Sequence, residues 1–280
     1  MKLLRIGEKG KEKPAILDKN NKIRDLSSHI LDLNPNYLNF ETFSKIKKID
    51  LEKLPELSSN ERFGSCISKP GKFVAIGLNY SDHAKETGLK APSEPIVFMK
   101  ATSSISGPND IIEMPKESKK LDWEAELAFV IGKETKNITE EKAPDHILGY
   151  CIVNDVSERE WQIEKLGQWV KGKSGDTFGP TGPYLVTKDE IPDINNLNLT
   201  LEVNEKKMQT GNTKNMIFNT NFIISYLSKF MSLQPGDIVT TGTPAGVGMG
   251  MKPQIFLKSG DNIKVKIDCL GQQNSKVISI

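Results

Sequence analysis

The chain has 280 residues, of which 37% are hydrophobic, and its 38 basic and 36 acidic side chains leave a net charge of +2. This composition is ordinary for a globular protein and excludes a strongly basic surface for nucleic acid. No apolar run approaches the roughly 18 residues of a transmembrane helix, and the short, charged start does not resemble a signal peptide. Three scattered cysteines have no metal-ligand spacing. We therefore expect a cytoplasmic protein that binds neither nucleic acid nor membranes.

The first 68 residues differ in pattern from the remainder. They predict short strands near residues 2–6 and 14–17, then a weakly helical stretch, and a Ser-, Gly-, Lys- and Pro-rich loop over 58–71 is the best linker. We predict a small N-terminal domain over residues 1–68 and a larger domain over 69–280. In the larger domain, predicted strands at 73–77, 96–100, 125–131 and 148–154 outnumber helices without regular alternation, which favours an α+β or largely β fold.

The later elements carry local signals of their own. Ser157-Glu-Arg-Glu160 predicts a capping box that opens a helix ending near Gly167. A glycine-rich loop is predicted over 167–183, a hairpin over 197–209, a helix over 222–233, and two strands near the C-terminus. Residues 167–174 match the phosphate-binding loop pattern of nucleotide hydrolases, but a predicted helix precedes them and none can follow. This context argues against nucleotide binding.

Two glutamates stand two residues apart on a predicted strand. Glu124 and Glu126 in Leu121-Asp-Trp-Glu-Ala-Glu-Leu127 would project from the same face, about 6.5–7 Å apart along the strand. Two neighbouring carboxylates repel each other and resist burial, so a hard divalent cation is one way to neutralise them. The alternative is a solvated polar face of an antiparallel strand.

Further candidates lie in the centre of the sequence. His83 and Glu86 are three apart on a predicted short helix, which suits a general base oriented by a carboxylate, or a surface ion pair. Asp155 ends a predicted strand, and Arg159 and Gln162 share one face of the next helix. These side chains could bind a keto acid beside a metal, or could belong to a capped, solvated helix.

Together these segments resemble the fumarylacetoacetate hydrolase family, from Phe73 to the C-terminus. The motifs occur in the family's order, and the ordered set is specific although each motif alone is weak: Gly77-Leu-Asn-Tyr-Ser-Asp-His83, Pro95-Ile-Val-Phe-Met-Lys100, Trp123-Glu-Ala-Glu-Leu127, Asn154-Asp-Val-Ser-Glu-Arg159, Lys171-Gly-Lys-Ser174 and Thr241-Gly-Thr-Pro-Ala-Gly-Val-Gly248. Within the family the chain is most similar to bacterial members that act on 2,4-diketo-3-deoxy sugar acids, and to relatives labelled ureidoglycolate lyases.

The resemblance implies a fold, a cofactor and a set of site residues. The fold is an α+β, β-rich roll with a small N-terminal domain, usually dimeric, and the cofactor is Mg²⁺ or Mn²⁺. The implied residues fall into three groups: metal ligands Glu124, Glu126 and Asp155; catalytic residues His83, Glu86, Lys173 and Gln162; and substrate-binding residues Arg159, Thr243 and Tyr80.

The implied reaction is hydrolysis of a carbon–carbon bond in a 2,4-dioxo acid, an acylpyruvate or a diketo sugar acid. Isomerisation of a 2-hydroxy-dienoate, decarboxylation of an oxaloacetate-type acid and cleavage of ureidoglycolate stay open, because they use the same metal chemistry. A non-catalytic carboxylate-binding protein is the alternative from another class. A homodimer that binds a small keto acid is the expected working form.

Overall fold

The computed structural model describes residues 1–88 and 90–280. Its α-helices are α1 Phe40–Ile46, α2 Ser81–Thr87, α3 Val170–Lys173 and α4 Thr220–Leu227, with a π-helical turn at Glu160–Glu164. Its strands are β1 Lys2–Ile6, β2 Lys13–Leu17, β3 Ile23–Asp25, β4 Glu56–Leu57, β5 Phe73–Gly77, β6 Ile96–Lys100, β7 Ile105–Ser106, β8 Ile112–Met114, β9 Leu121–Asp122, β10 Ala125–Ile131, β11 Ile147–Asn154, β12 Ser157–Glu158, β13 Gly179–Pro180, β14 Leu185–Val186, β15 Asn198–Val203, β16 Lys206–Asn212, β17 Ile238–Thr240, β18 Asn262–Ile267 and β19 Gly271–Ser279.

A ten-stranded sheet forms the centre of the molecule, in the order β4-β3-β2-β1-β14-β11-β10-β17-β5-β6. The first four strands of the chain extend this sheet, because β1 pairs antiparallel with β14 through Leu3 and Leu185. The α+β, strand-rich class expected from the sequence is confirmed. The boundary between residues 68 and 69 stays a prediction, since the sheet is shared across it.

A five-stranded sheet, in the order β16-β15-β18-β19-β8, packs on one face of the large sheet. Leu127 and Phe129 of β10 join Leu199, Leu201 and Val265 in one buried cluster. Their β10 neighbours Ala128 and Val130 lie in a second cluster, with residues of the N-terminal strands and α1. Strand β10 is therefore buried on both faces, which explains why its sequence Leu127–Ile131 is continuously apolar.

The register of β10 and β11 places the acidic residues together. The two strands are antiparallel, with Ala125 opposite Asn154 and Glu126 opposite Val153. Asp155 directly follows Asn154, and its main-chain N–H donates to the carbonyl of Glu124 at 2.8 Å. The last pair of this ladder thus brings Asp155 to the end of β10 that carries both glutamates.

Three local predictions were wrong. Ser157 does not cap a helix: it lies in β12, its hydroxyl donates to the Asp155 carbonyl, and the π-helical turn begins after Arg159. Pairing with β9 accounts for the extended backbone there. The segment 167–183 is not all loop, because it contains α3, and α4 ends at Leu227 instead of continuing to residue 233. Among the described residues, no helix is long and apolar enough to cross a membrane.

Candidate metal centre and active site

Glu124, Glu126 and Asp155 form one buried cluster of carboxylates. Each offers an oxygen atom, and the three oxygens lie within 4.8 Å of one another. Glu126 is 1% exposed and Asp155 is fully buried. Strand alternation sends both glutamates to one face, and the β10–β11 register adds the aspartate. The sequence prediction that these three side chains converge is confirmed by this geometry.

Two buried lysines contact this cluster. The Lys173 ammonium lies 2.6 Å from Glu124 Oε2 and 2.9 Å from Asp155 Oδ2. The Lys100 ammonium lies 2.6 Å from Asp155 Oδ1 and also donates to the main-chain carbonyl of Lys173. Lys100 therefore connects the aspartate to the backbone of the second lysine, and both oxygens of Asp155 have a cationic partner.

An arginine completes the positive side of the site. The Arg159 guanidinium contacts Glu124 Oε1 at 2.8 Å and Asp122 Oδ2 at 2.8 Å. Burial alone would raise the pKa of Glu124, but Lys173 and Arg159 outweigh it and lower that pKa to about 2. Glu124 is thus held as a carboxylate.

Glu126 is the carboxylate that these cations leave uncompensated. Its Oε2 accepts from the Gly242 N–H at 3.0 Å. Burial first, and then Asp155 and Glu124, raise the pKa of Glu126 well above its ordinary value of 4.5. The site therefore holds one more carboxylate than cations. Its four carboxylates are Asp122, Glu124, Glu126 and Asp155, and its three salt-bridged cations are Lys100, Arg159 and Lys173.

This donor set fits a divalent cation. Three converging carboxylate oxygens suit the hard ions Mg²⁺ and Mn²⁺, which prefer oxygen ligands. A dication would also neutralise the one excess negative charge, which is otherwise expensive to bury, and would leave one positive charge over. The Tyr80 hydroxyl is a further buried polar atom near Glu126.

His83 and Glu86 meet on the short helix α2. The His83 Nδ1 atom lies 3.2 Å from Glu86 Oε2, and Glu86 Oε1 accepts from the Gly246 N–H at 2.9 Å. A Cβ atom at Gly250 would lie only 2.5 Å from the Glu86 carboxyl carbon. The glycine-rich loop therefore holds Glu86 from two sides, and Glu86 in turn orients the imidazole.

The same loop, residues 241–250, is fixed to the segment that carries the carboxylate cluster by two buried side chains. Asp122 accepts from the Gly248 and Met249 N–H groups at 2.7 and 3.0 Å. The Thr243 hydroxyl donates to the Ala125 carbonyl and accepts from Gln209. Because the hydroxyl proton of Thr243 is already used, donation to a substrate carboxylate would require that bond to break.

A cavity of about 740 Å³ opens onto these groups. His83, Glu86, Glu124, Glu126, Arg159, Gln162, Lys173 and Thr243 all line it. Gln162 accepts from Arg159 through its amide oxygen at 2.9 Å, so the two side chains present one joined polar surface. Tyr80 is not among the residues that line this cavity in the described part of the chain. The roles predicted for these residues stay predictions.

Sequence reasoning missed two residues of this centre. Lys100 ends the predicted strand 96–100, and a lysine at a strand end ordinarily indicates solvent, yet here it is 2% exposed. Asp122 stood beside the Glu-x-Glu pair without an assigned role, although it accepts four hydrogen bonds. The usable signal was the run of acidic residues at 122, 124 and 126, since alternation places all three on one side.

Comparison with known proteins identifies the family of the chain. The family model described as "Fumarylacetoacetate (FAA) hydrolase C-terminal" matches residues 72–278. A curated protein of Burkholderia ambifaria, whose name gives no reaction beyond hydrolase, is 55% identical over 98% of this chain and 97% of its own length. The chain belongs to the fumarylacetoacetate hydrolase family.

Solved structures cover the whole chain. Fumarylacetoacetate hydrolase from Exiguobacterium antarcticum is 34% identical with a TM-score of 0.89, over 100% of both chains. Maleylpyruvate hydrolase from Sphingobium sp. SYK-6, solved with manganese(II) and pyruvate, is 27% identical with a TM-score of 0.83, over 100% of this chain and 99% of that one. The 2-hydroxyhepta-2,4-diene-1,7-dioate isomerase from Mycobacterium marinum is 30% identical with a TM-score of 0.75, over 100% and 98%.

Proposed function

We propose that this protein is a divalent-metal-dependent hydrolase that cleaves a carbon–carbon bond in a 2,4-dioxo acid and releases pyruvate or a related keto acid. The observation that carries the proposal is that Glu124 and Glu126 line the same cavity as the His83–Glu86 pair, while Asp155 lies buried behind the two glutamates. A metal centre and an oriented base in the same cavity are the two components that activation of water against a ketone requires.

Glu124, Glu126 and Asp155 would hold the ion, which we propose to be Mg²⁺ or Mn²⁺. When bound, it would supply Lewis-acid polarisation and orientation of the keto-acid end of the substrate. Support comes from the oxygen-only donor set and from the manganese in the Sphingobium maleylpyruvate hydrolase structure.

The remaining steps belong to side chains. Glu86 holds His83 Nδ1, so Nε2 takes a proton from water as the water oxygen attacks the more distant ketone carbon. The bond between that carbon and the neighbouring methylene breaks, and its electron pair stays on the keto-acid fragment as an enolate. The proton on His83 then goes to the methylene carbon of the enolate, which becomes the methyl group of the keto acid, so water and substrate give an acid and a keto acid. The Lys173 ammonium and the Gln162 amide line the same cavity and would stabilise the negative charge that grows on the substrate.

A second candidate reaction is isomerisation of a 2-hydroxy-dienoate, favoured by the likeness to the Mycobacterium marinum isomerase at 30% identity. It needs proton transfer between carbons and no attacking water. Decarboxylation of an oxaloacetate-type acid and cleavage of ureidoglycolate remain further alternatives. A non-catalytic carboxylate-binding protein would need no general base, and the buttressed His83–Glu86 pair argues against it.

The test is incubation with acylpyruvates, diketo sugar acids and a 2-hydroxy-dienoate, followed by absorbance and by a pyruvate-coupled assay, with Mg²⁺, with Mn²⁺ and with EDTA. Metal-dependent release of pyruvate supports the hydrolase. Loss of the dienol absorbance without any pyruvate would identify the isomerase instead. A fully metalled protein that changes none of these compounds would contradict both. Homodimer formation and a cytoplasmic location stay predictions.

A further inference from the structure

The cavity differs in exposure from one end to the other. Glu124, Glu126, Arg159, Lys173 and Thr243 are buried and form its floor. Lys85, Lys252, Pro253 and Gln254 also line the cavity but are exposed, so they mark its mouth. A substrate whose keto acid lies on the floor must direct its other end towards these mouth residues.

Every charged side chain on the floor already has a partner of opposite sign or a hydrogen-bond donor. Arg159 and Lys173 are salt-bridged to Glu124, and Glu126 accepts from the Gly242 N–H. Glu86, a partly buried residue of the lining, accepts from the Gly246 N–H and contacts His83. The two mouth lysines differ, because within the described structure neither Lys85 nor Lys252 forms a salt bridge or a side-chain hydrogen bond. The cavity mouth therefore carries two uncompensated positive charges and no unpaired acid among its described lining residues.

The wall between floor and mouth is mostly apolar. It is formed by partly exposed side chains that offer few hydrogen-bond partners: Phe98, Trp169, Met249 and Met251. A polyhydroxylated chain crossing this wall would leave hydroxyl groups without partners, and each unmatched buried polar group is costly. A hydrocarbon linker would bury apolar surface there instead.

We propose that Lys85 and Lys252 form a distal anion subsite, and that the substrate is a dicarboxylic 2,4-dioxo acid whose second carboxylate is joined to the reacting ketone by a short hydrocarbon linker. This inference rests on the proposed function for the placement of the keto-acid end. It favours acylpyruvate diacids over diketo sugar acids. A volume of about 740 Å³ exceeds what a three-carbon keto acid occupies and leaves room for the linker and second carboxylate.

The test compares 2,4-dioxoheptanedioate with its 7-amide, which has the same size but lacks the distal charge. We expect the wild-type protein to use the diacid with about 10-fold higher kcat/KM, the scale of a charge-assisted hydrogen bond at a partly solvated site. In the double variant Lys85→Gln/Lys252→Gln the ratio should fall to about 1. Lys258→Gln, which alters an exposed lysine outside the cavity, should retain the wild-type ratio.

The outcomes separate this inference from the proposed function. Equal use of diacid and amide by the wild type, or an unchanged preference in the double variant, would overturn the subsite while the hydrolase stands. If the wild type cleaves neither these two compounds nor any other acylpyruvate or diketo sugar acid, the proposed function fails. The subsite is then tested by calorimetric binding of the same two compounds to the Mn²⁺-loaded protein. Tighter binding of the diacid that is lost in the double variant would support the subsite, and equal binding would overturn it.

Discussion

Lys100→Met is expected to destabilise the metal-free protein strongly. The substitution keeps most of the side-chain volume but removes an ammonium that contacts Asp155 Oδ1 at 2.6 Å and the Lys173 carbonyl in a fully buried setting. Breaking a buried ion pair by removing one partner costs about 3–5 kcal/mol. Asp155 keeps its contact with Lys173 at 2.9 Å, so we expect the lower end, about 3 kcal/mol.

The measurement is differential scanning calorimetry in EDTA. For a protein of this size, about 3 kcal/mol corresponds to a fall of about 6–12 °C in the unfolding temperature. Lys45→Met is the matched control: this lysine pairs with Glu41 on the surface of α1, and its loss should shift that temperature by no more than about 2 °C. If Lys100→Met unfolded within 2 °C of the wild type, Lys100 would not be the structural link between Asp155 and Lys173 that we infer.

Three further predictions concern the base, the buried acid and the loop. His83→Gln should lower kcat about 10²- to 10⁴-fold while calorimetry shows unchanged metal affinity; equal loss of both would contradict separate roles. The raised pKa of Glu126 makes the folded, metal-free state bind a proton more tightly than the unfolded chain does. The free energy of unfolding therefore falls as the pH rises above 4.5 towards the folded-state pKa. Glu126→Gln in EDTA should therefore unfold at a higher temperature than wild type at pH 8, with a difference that shrinks towards pH 4.5; a constant difference would refute this. Gly250→Ala should displace Glu86 and lower kcat by up to about 10²-fold, and an unchanged kcat would show that the loop does not hold the pair.

Strand alternation predicted one part of the core of the site. It placed Glu124 and Glu126 on one face, because this relation depends only on a short spacing, whereas Asp155 was joined to them by the family resemblance. The antiparallel register of β10 and β11 was not predictable from either strand alone, yet it decides that the three carboxylates meet. Short-range spacing also predicted the His83–Glu86 contact.

Long-range contacts account for what the sequence did not reveal. Lys100 is separated from Asp155 by 55 residues, so its burial follows from tertiary packing and not from any local pattern. The supposed capping box at Ser157 failed because pairing with β9 keeps that residue extended, a tertiary override of a local signal. The N-terminal strands were expected, but their pairing with β14 across more than 180 residues was not.

The most direct test of the account is the metal content of the folded protein. After incubation with Mn²⁺ and dialysis, elemental analysis should find one ion per wild-type chain and none in Glu126→Gln, whose folding is confirmed by circular dichroism. Absence of Mn²⁺ and Mg²⁺ from the folded wild type would contradict the account, since Lys173 would then be the permanent cation of Glu124 and Asp155. A metal content in Glu126→Gln equal to that of the wild type would show that Glu126 is not a metal ligand.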